Sequence, residues 1–317
     1  MRETADNFRV AILAALGHAP ELIEPGRIHR FSTSARASDK AGWCQLFEDG
    51  RAGVFGDFRS GMSSVWTAQR RGLMTPTERA DMARQLARAK TQRETQQHQQ
   101  WTDNAQRNAA LWATTMPVSD GDPVSLYLRR RGLAGPVPEH LRLHPRLINW
   151  DGGDRGTWPA MIAPLIRPDG VVLALHRTYL TSDGSKAPVP TVKKLTGAAG
   201  PLAGACIPLH DAQHGVIGIA EGIETAQAAH LASGLPTVAA YCAGNLAAYT
   251  WPPGVRRIVV FADADPAGAA AAQSLKARAM RAGLSVAVLT PTTPGADWCD
   301  VWAQRAAVAV AASEAAA

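Results

Sequence analysis

The segment Ile258-Val-Val-Phe-Ala-Asp-Ala-Asp-Pro-Ala-Gly268 determines the fold predicted for the C-terminal part of the chain. Its first five residues are all apolar, which is typical of a strand buried on both faces of a parallel sheet. Asp263 and Asp265 follow directly, and Pro266 begins a stretch to Ala282 without acids that predicts a helix. The segment therefore predicts a strand, an acidic turn and a helix in succession.

The same alternation continues on both sides of this segment. Further strands and helices are predicted at Val216–Ala220, Ile223–Ser233, Thr237–Tyr241 and Ser285–Leu289, with a last helix from near Trp298. Regular alternation of strands and helices is typical of a sheet covered on both faces. Residues 213–317 are therefore predicted to form an α/β domain with a mainly parallel sheet.

Three regions with different residue composition and hydrophobic pattern precede this domain. Residues 1–73 combine an N-terminal amphipathic helix with short aromatic and Gly-rich segments, which predict a small β-rich module. Residues 74–118 are rich in Gln and Arg and almost free of Gly and Pro, so they predict a helical linker. Apolar stretches alternate with turns over 119–212, which predicts a basic α+β subdomain.

The balance of charged residues also changes at about residue 212. Residues 1–212 carry 27 Lys and Arg against 20 Asp and Glu, whereas residues 213–317 carry 6 against 7. A basic body joined to a slightly acidic unit suits a protein that binds a polyanion with one part and a metal ion with the other.

Cysteine usage and hydropathy exclude other classes. Cys44, Cys206, Cys242 and Cys299 are far apart and form no Cys-x-x-Cys pair, so no zinc site is expected. The sequence has no apolar run long enough to span a bilayer and no signal segment at its start. We therefore expect a soluble, cytoplasmic protein with no membrane partner.

The acids of the C-terminal domain are clustered. Six of its seven acidic residues form three pairs, which are Glu221 with Glu224, Asp263 with Asp265, and Asp297 with Asp300. Ligand sites of α/β sheets gather at the carboxyl ends of strands, where these acids fall. Clustered carboxylates repel one another unless a cation neutralises them, and hard oxygen ligands favour Mg²⁺ or Mn²⁺. Each acid taken alone is equally well explained as a helix cap.

These residues resemble the signature of the Toprim family, which includes primases, topoisomerases, recombination mediators and some nucleases. The family places a Glu after one strand and an Asp-x-Asp after a later one, as in Ile219-Ala-Glu221 and Asp263-Ala-Asp265, which lie about 42 residues apart. Gly295-Ala-Asp-Trp-Cys-Asp300 resembles the element that adds a third acidic cluster.

Within the family, the sequence looks most like primases of plasmids, phages and integrated elements. His176-Arg-Thr-Tyr-Leu180 and Val192-Lys-Lys-Leu-Thr-Gly197 resemble the basic segment that precedes Toprim in bacterial replicative primases. The β-rich module resembles a zinc ribbon that has lost its metal ligands. The sequence contains no Gly-x-x-x-x-Gly-Lys-Ser/Thr loop, so we expect it to lack the helicase half often fused to such primases.

The resemblance implies a DNA primase that makes short RNA primers on single-stranded DNA from ribonucleoside triphosphates, with a separate helicase as a further partner. It also implies association with the nucleoid or a replicon. It implies catalytic roles for Glu221, Asp263 and Asp265 and a Mg²⁺ or Mn²⁺ site that adds Asp297 and Asp300. Nucleotide- and template-binding roles are implied for Arg177, Lys193, Lys194, Arg129, Arg130 and Arg131. The alternatives are a Toprim nuclease and a non-catalytic accessory factor that binds single-stranded DNA.

Overall fold

The computed structural model describes residues 2–34, 40–58, 62–68, 74–151 and 154–305. The predicted module 1–73 and the predicted domain 213–317 each extend into residues outside these ranges. The chain divides into two compact units, Met1–Gln99 and Gln100–Ala317, which are described separately below.

The first unit packs a helix against a small antiparallel sheet. Its elements are α1 (Arg2–Leu16), β1 (His29–Phe31), β2 (Gly42–Leu46), β3 (Ala52–Asp57) and β4 (Met62–Thr67), and the strands pair in chain order. Phe8 and Ile12 of α1 are fully buried against the sheet. Trp43 and Phe47 lie in a second buried cluster, whereas Phe58 is 46% exposed. The β-rich module predicted from the sequence is confirmed.

The longest helix, α2 (Pro76–Ala113), begins in the first unit and continues into the second. Its composition is polar, as the sequence predicts. Within the second unit, the buried amides of Asn104 and Asn108 donate hydrogen bonds to the backbone oxygens of Ala198 and Gly197. Across the described ranges, no helix is both long enough and apolar enough to cross a bilayer.

The second unit begins with a five-stranded antiparallel sheet. Its elements are β5 (Met116–Pro117), α3 (Pro123–Arg130), β6 (Arg142–Asp151), β7 (Asp154–Ile166), β8 (Val172–Tyr179) and β9 (Lys193–Leu195), and the strands pair in chain order. Asp122 caps α3 by accepting hydrogen bonds from the backbone of Val124 and Ser125, and Pro123 occupies the first turn. The cap and the proline explain why α3 begins where it does.

A second five-stranded sheet follows, in the order β10-β12-β11-β13-β14. Its elements are β10 (Ile207–Pro208), β11 (Val216–Ala220), α4 (Ile223–Ser233), β12 (Thr237–Ala239), α5 (Ala243–Ala248), β13 (Arg257–Phe261), α6 (Pro266–Arg281) and β14 (Ser285–Leu289). All its strand pairs are parallel except β10 with β12. A last helix begins at Trp298 and is described to residue 305.

Helices cover both faces of this sheet. Val259 and Phe261 of β13 share a buried cluster with residues of α4, whereas Ile258 and Val260 share another with α5 and α6. Alternate residues of one buried strand thus serve two layers. The mainly parallel α/β sheet predicted from the sequence is confirmed.

Two local features differ from the sequence prediction. The strand predicted over Thr237–Tyr241 ends at Ala239, because Tyr241 takes a left-handed backbone conformation with φ of 62° that no strand accommodates. Helix α5 is missing from the prediction because its six residues are too few to show a helical period.

Candidate active site

The order of the strands brings the acidic segments to one edge of the parallel sheet. Glu221 directly follows β11, Asp263 follows β13 by two residues, and Ala220 lies opposite Phe261 in the register of these neighbouring strands. Paired strands lie about 4.8 Å apart, so both acids leave the sheet at the same edge. The segment before Asp297 is tied to this edge by backbone bonds from Ala264 N–H to Ala296 and from Gly295 N–H to Ala264.

Asp263 is the carboxylate most strongly affected by this crowding. Burial raises its pKa to about 7, together with the charges of Glu221, Asp297, Asp265 and Asp300. Its Oδ1 atom is buried and has no hydrogen-bond partner. Burial and the charge of Asp265 likewise raise the pKa of Glu221, against a hydrogen bond from the backbone of Ala243. The other four predicted acids are therefore all close enough to act on Asp263.

A glycine fixes the backbone of Asp263 against helix α6. A Cβ atom at Gly268 would lie 2.9 Å from the backbone oxygen of Asp263, which is closer than real side chains approach. Asp265 caps the same helix and accepts a 2.7 Å hydrogen bond from Gly268 N–H. The sequence Asp263-Ala-Asp-Pro-Ala-Gly268 thus holds Asp263 close to the first turn of α6.

Three of the acids also serve as helix caps. Asp265 caps α6, and Asp297 and Asp300 form a reciprocal cap at the last helix, with Asp300 N–H donating to Asp297 over 2.8 Å. Among the described residues, no three His, Cys, Asp or Glu side chains are already arranged to hold a metal ion. The capping bonds explain this, because they direct carboxylates toward backbone amides.

The site nevertheless fits a hard cation. Its donors are all carboxylate oxygens, and the buried Oδ1 of Asp263 lacks a partner. Burial, together with mutual repulsion, already raises the pKa values of Asp263 and Glu221. A divalent ion would relieve the repulsion between the carboxylates and would give the Oδ1 atom of Asp263 a cation to bind. Asp263 has a carboxylate oxygen without a partner, and Glu221 accepts a hydrogen bond from the backbone of Ala243 at the start of α5. Asp265, Asp297 and Asp300 would join them as ligands by leaving their caps.

Glu224 belongs to a different arrangement. It is buried, and its carboxylate accepts hydrogen bonds from Tyr127 Oη over 2.5 Å and from Lys193 Nζ over 2.9 Å. Burial alone would raise its pKa, but the charge and hydrogen bond of Lys193 and the bond from Tyr127 outweigh burial and lower the pKa to about 2. Glu224 is thus an anchor between the two sheets of the second unit. Tyr127 stands 97 residues away in sequence, and no sequence pattern points to it.

The six predicted basic residues do not form one pocket in the structure. Each is engaged with its own partner: Arg129 with Asp120, Arg130 with Asp183, Arg131 with Cys299, Arg177 with the backbone oxygen of Leu195, Lys193 with Glu224, and Lys194 with Asp151 and Asn149. Arg129 and Arg130 have side chains that are 52% and 57% exposed. Those two are the best placed to exchange a surface partner for a phosphate.

His176, in the basic segment, gives the second unit a pH-dependent stability. Burial lowers its pKa from 6.5 to about 4, with help from Lys193 and Arg177 and against Glu224. The unfolded chain therefore takes up a proton between about pH 6.5 and 4 that the folded chain excludes, so stability falls as the pH falls. At pH 5 this loss amounts to about 2 kcal/mol.

Urea denaturation at pH 7 and pH 5 tests this expectation. The wild type should lose about 2 kcal/mol more than the variant His176→Gln between these pH values. His18→Gln, which changes an exposed histidine, should keep the pH dependence of the wild type. Equal losses for wild type and His176→Gln would contradict the assignment.

Comparison with known proteins adds two family matches. Residues 216–307 match a Toprim domain model, and residues 102–206 match a domain of unknown function, DUF7146. The DNA primase TraC of Escherichia coli is 28% identical over 233 residues, which is 71% of this chain and 19% of that protein. The chain therefore spans about a fifth of the length of the curated relative it matches.

Solved primase structures are also similar in part. The RNA polymerase domain of Mycobacterium tuberculosis primase DnaG is 18% identical with a TM-score of 0.38, covering 68% of this chain and 81% of that one. The zinc-binding and RNA polymerase domains of Aquifex aeolicus primase are 13% identical with a TM-score of 0.40, covering 95% and 82%.

The family match coincides with the strands that carry the acids. It begins at Val216, the first residue of β11, and continues past Asp300. The resemblance drawn from the two acidic motifs is therefore confirmed. Residues 216–307 thus match the Toprim domain, and the chain is similar in sequence to part of a DNA primase.

Proposed function

We propose that this protein is a DNA primase that joins ribonucleotides into short RNA primers on a single-stranded DNA template. The observation that carries the proposal is Asp263, whose partly buried carboxylate is surrounded by four other acids and has an oxygen without a partner. Carboxylates held together against their own repulsion favour a cation site over a structural cluster. The proposed setting is the replication of a plasmid, phage or integrated element.

Glu221, Asp263 and Asp265 would hold Mg²⁺ or Mn²⁺, and Asp297 and Asp300 would complete its surroundings. When bound, the ion supplies charge neutralisation at the triphosphate and a more acidic primer 3′-hydroxyl. The chain itself fixes the position of Asp263 through the contact of its backbone with Gly268. It keeps that carboxylate away from bulk water by partial burial, which strengthens its interaction with a cation.

The basic residues divide into two groups in this proposal. Arg129 and Arg130 lie at the exposed end of α3 and would bind phosphates of template or nucleotide. Arg131, Arg177, Lys193 and Lys194 would reach a nucleotide only by giving up their internal partners, and those partners favour a positioning role for them. We also propose that the chain is divided functionally into residues 1–73, 74–118, 119–212 and 213–317. A separate helicase is a further proposed partner.

Template-dependent incorporation of labelled ribonucleotides tests the proposal. The purified chain, given single-stranded DNA, the four ribonucleoside triphosphates and Mg²⁺, should make short RNA products. Omitting the template or chelating the metal should abolish them. A protein that binds the template but incorporates no label under any of several divalent metals and template sequences would overturn the proposal in favour of an accessory factor.

One observation favours a nuclease as the second candidate. None of the six predicted basic residues is without a partner, so the described residues contain no ready triphosphate pocket at these positions. A Toprim nuclease would need the acidic edge without such a pocket. Incubation of supercoiled plasmid with Mg²⁺ and without nucleotides separates the two, because only a nuclease converts the plasmid to its nicked form.

A further inference from the structure

The hairpin of β6 and β7 presents large apolar side chains to solvent. Trp150 is 71% exposed, which is the highest value for any large hydrophobic side chain in the described residues, and Ile148 is 48% exposed. Both lie on β6, close to the end of the hairpin, and their side chains point to the same face because they are two residues apart. Adjacent exposed apolar side chains on one face are more typical of a binding surface than a single exposed residue is.

The strand β7 adds a positive charge to this face. Arg155 lies directly opposite Trp150 in the strand register, and Thr157 lies opposite Ile148. Residues paired across an antiparallel ladder share a face, so these four side chains form one surface, here named the Trp150 face. Arg155 and Thr157 are both exposed. Arg155 has no acidic partner in the part of the chain that the structure describes.

The opposite face of the hairpin holds its backbone firmly. Lys194 Nζ donates to the Asn149 side chain over 2.5 Å and to the Trp150 backbone oxygen over 3.0 Å, and it pairs with Asp151 over 2.7 Å. Tyr179 Oη donates to the Ile148 backbone oxygen over 3.0 Å. The Lys194 side chain is only 16% exposed. The backbone that carries Ile148 and Trp150 is thus fixed from inside, while their side chains face outward.

Such an arrangement lowers the entropy cost of binding. A rigid strand that carries an exposed aromatic ring is preorganised, because little ordering remains to be done when a ligand arrives. An aromatic ring next to an unpaired guanidinium is the combination that single-stranded nucleic acids bind, with bases stacked on the ring and phosphates near the cation. An acidic or neutral apolar face would favour a protein partner instead, but the only charge contributed by these four residues is positive.

We propose that the Trp150 face binds single-stranded DNA by stacking a base on Trp150 and placing a neighbouring phosphate at Arg155. The inference rests on the proposed use of a single-stranded template and adds a contact surface formed by residues other than the clustered acids of the C-terminal sheet. It also assigns Lys194 a positioning role, since this lysine supports the hairpin from its inner face.

Fluorescence anisotropy with a labelled 20-nucleotide thymidine oligonucleotide tests the proposal without nucleotides and in the presence of EDTA. Trp150→Ala should raise the Kd about tenfold, whereas Trp150→Phe, which keeps a ring, should stay close to the wild type. Trp150→Leu should behave like Trp150→Ala, because it keeps apolar volume without a ring. Arg155→Ala should weaken binding several-fold and lower the slope of log K against log salt by roughly one phosphate contact.

Two controls isolate stacking from charge. On an oligonucleotide of the same length with abasic positions, the effect of Trp150→Ala should disappear and that of Arg155→Ala should persist. Arg257→Ala, an exposed arginine at the start of β13, should bind like the wild type. Thermal unfolding should show all variants folded.

Unchanged binding by Trp150→Ala would overturn the proposal, and so would wild-type binding by Trp150→Leu, which would indicate a general apolar contact. The measurement requires no catalysis. A failure of primer synthesis together with the expected loss of binding would therefore refute the proposed enzyme activity and leave the Trp150 face intact.

Discussion

Asp263→Asn is expected to lower primer synthesis by at least about a hundredfold while leaving the folded protein no less stable than the wild type. The loss follows from removing a carboxylate at the centre of the proposed cation site. The retained stability follows from the repulsion at this position, because burial and four neighbouring acids already disfavour the charged form of Asp263. An amide of the same shape removes that charge and fills the same space.

The two measurements are primer yield under saturating substrates and the thermal midpoint in EDTA. Asp169→Asn is a matched control, since Asp169 lies in the turn between β7 and β8, paired with Arg167, and should leave both unchanged. A lower thermal midpoint for Asp263→Asn would indicate that the acids stabilise the fold, as the accessory-factor hypothesis requires. Undiminished primer synthesis by this variant would refute the proposed site.

Lys193→Met and Glu224→Gln are each expected to destabilise the protein, by about 3 and about 2 kcal/mol, and the double variant to recover much of the loss. Removing Lys193 leaves a buried carboxylate without its counter-ion. Removing the charge of Glu224 costs less, because the Lys193 side chain is 42% exposed and turns to water. The double variant leaves no unpaired charge, so its cost should be well below the sum of the two single costs.

Urea denaturation at pH 7 of the four proteins gives the coupling energy directly. Lys194→Met serves as a control, because Lys194 is the next residue of β9 and its partners are Asp151 and Asn149, so its replacement should show no coupling to Glu224→Gln. If Lys193 instead binds a nucleotide, Lys193→Met would leave the free energy of unfolding unchanged and raise the KM for ribonucleotides.

The C-terminal fold was largely predictable from the sequence because its strands are buried on both faces. Such strands appear as uninterrupted apolar runs, and β11, α4 and β14 begin and end at the predicted residues. The position of the acids at one edge of the sheet was predictable for the same reason, since a charged residue directly after a buried strand marks the end of that strand. The sequence pattern does not predict where the carboxylates point. Asp265 and Asp297, for example, cap helices and also belong to the candidate ligand set.

The basic residues show where sequence reasoning stops. A Lys-Lys pair on a strand predicts charge but not direction, and alternation sends Lys193 and Lys194 to opposite faces of β9. Lys193 meets Glu224 and Lys194 meets Asp151, through contacts that span 31 and 43 positions of the chain. Partners at such separations depend on how two sheets meet, which local patterns do not encode.

The hydrogen bond from Tyr127 to Glu224 also determines how the protein can be divided. Tyr127 belongs to α3 beside the antiparallel sheet, and Glu224 belongs to the Toprim domain. Tyr127 also shares one buried core with Leu141 of the first part and Ile223 of the Toprim domain. Cutting the chain between the two sheets would expose that core and leave an ionised carboxylate with neither of its donors. Expression of either sheet with its helices alone should therefore yield aggregation-prone material. Evolutionary recombination should likewise transfer the two sheets together.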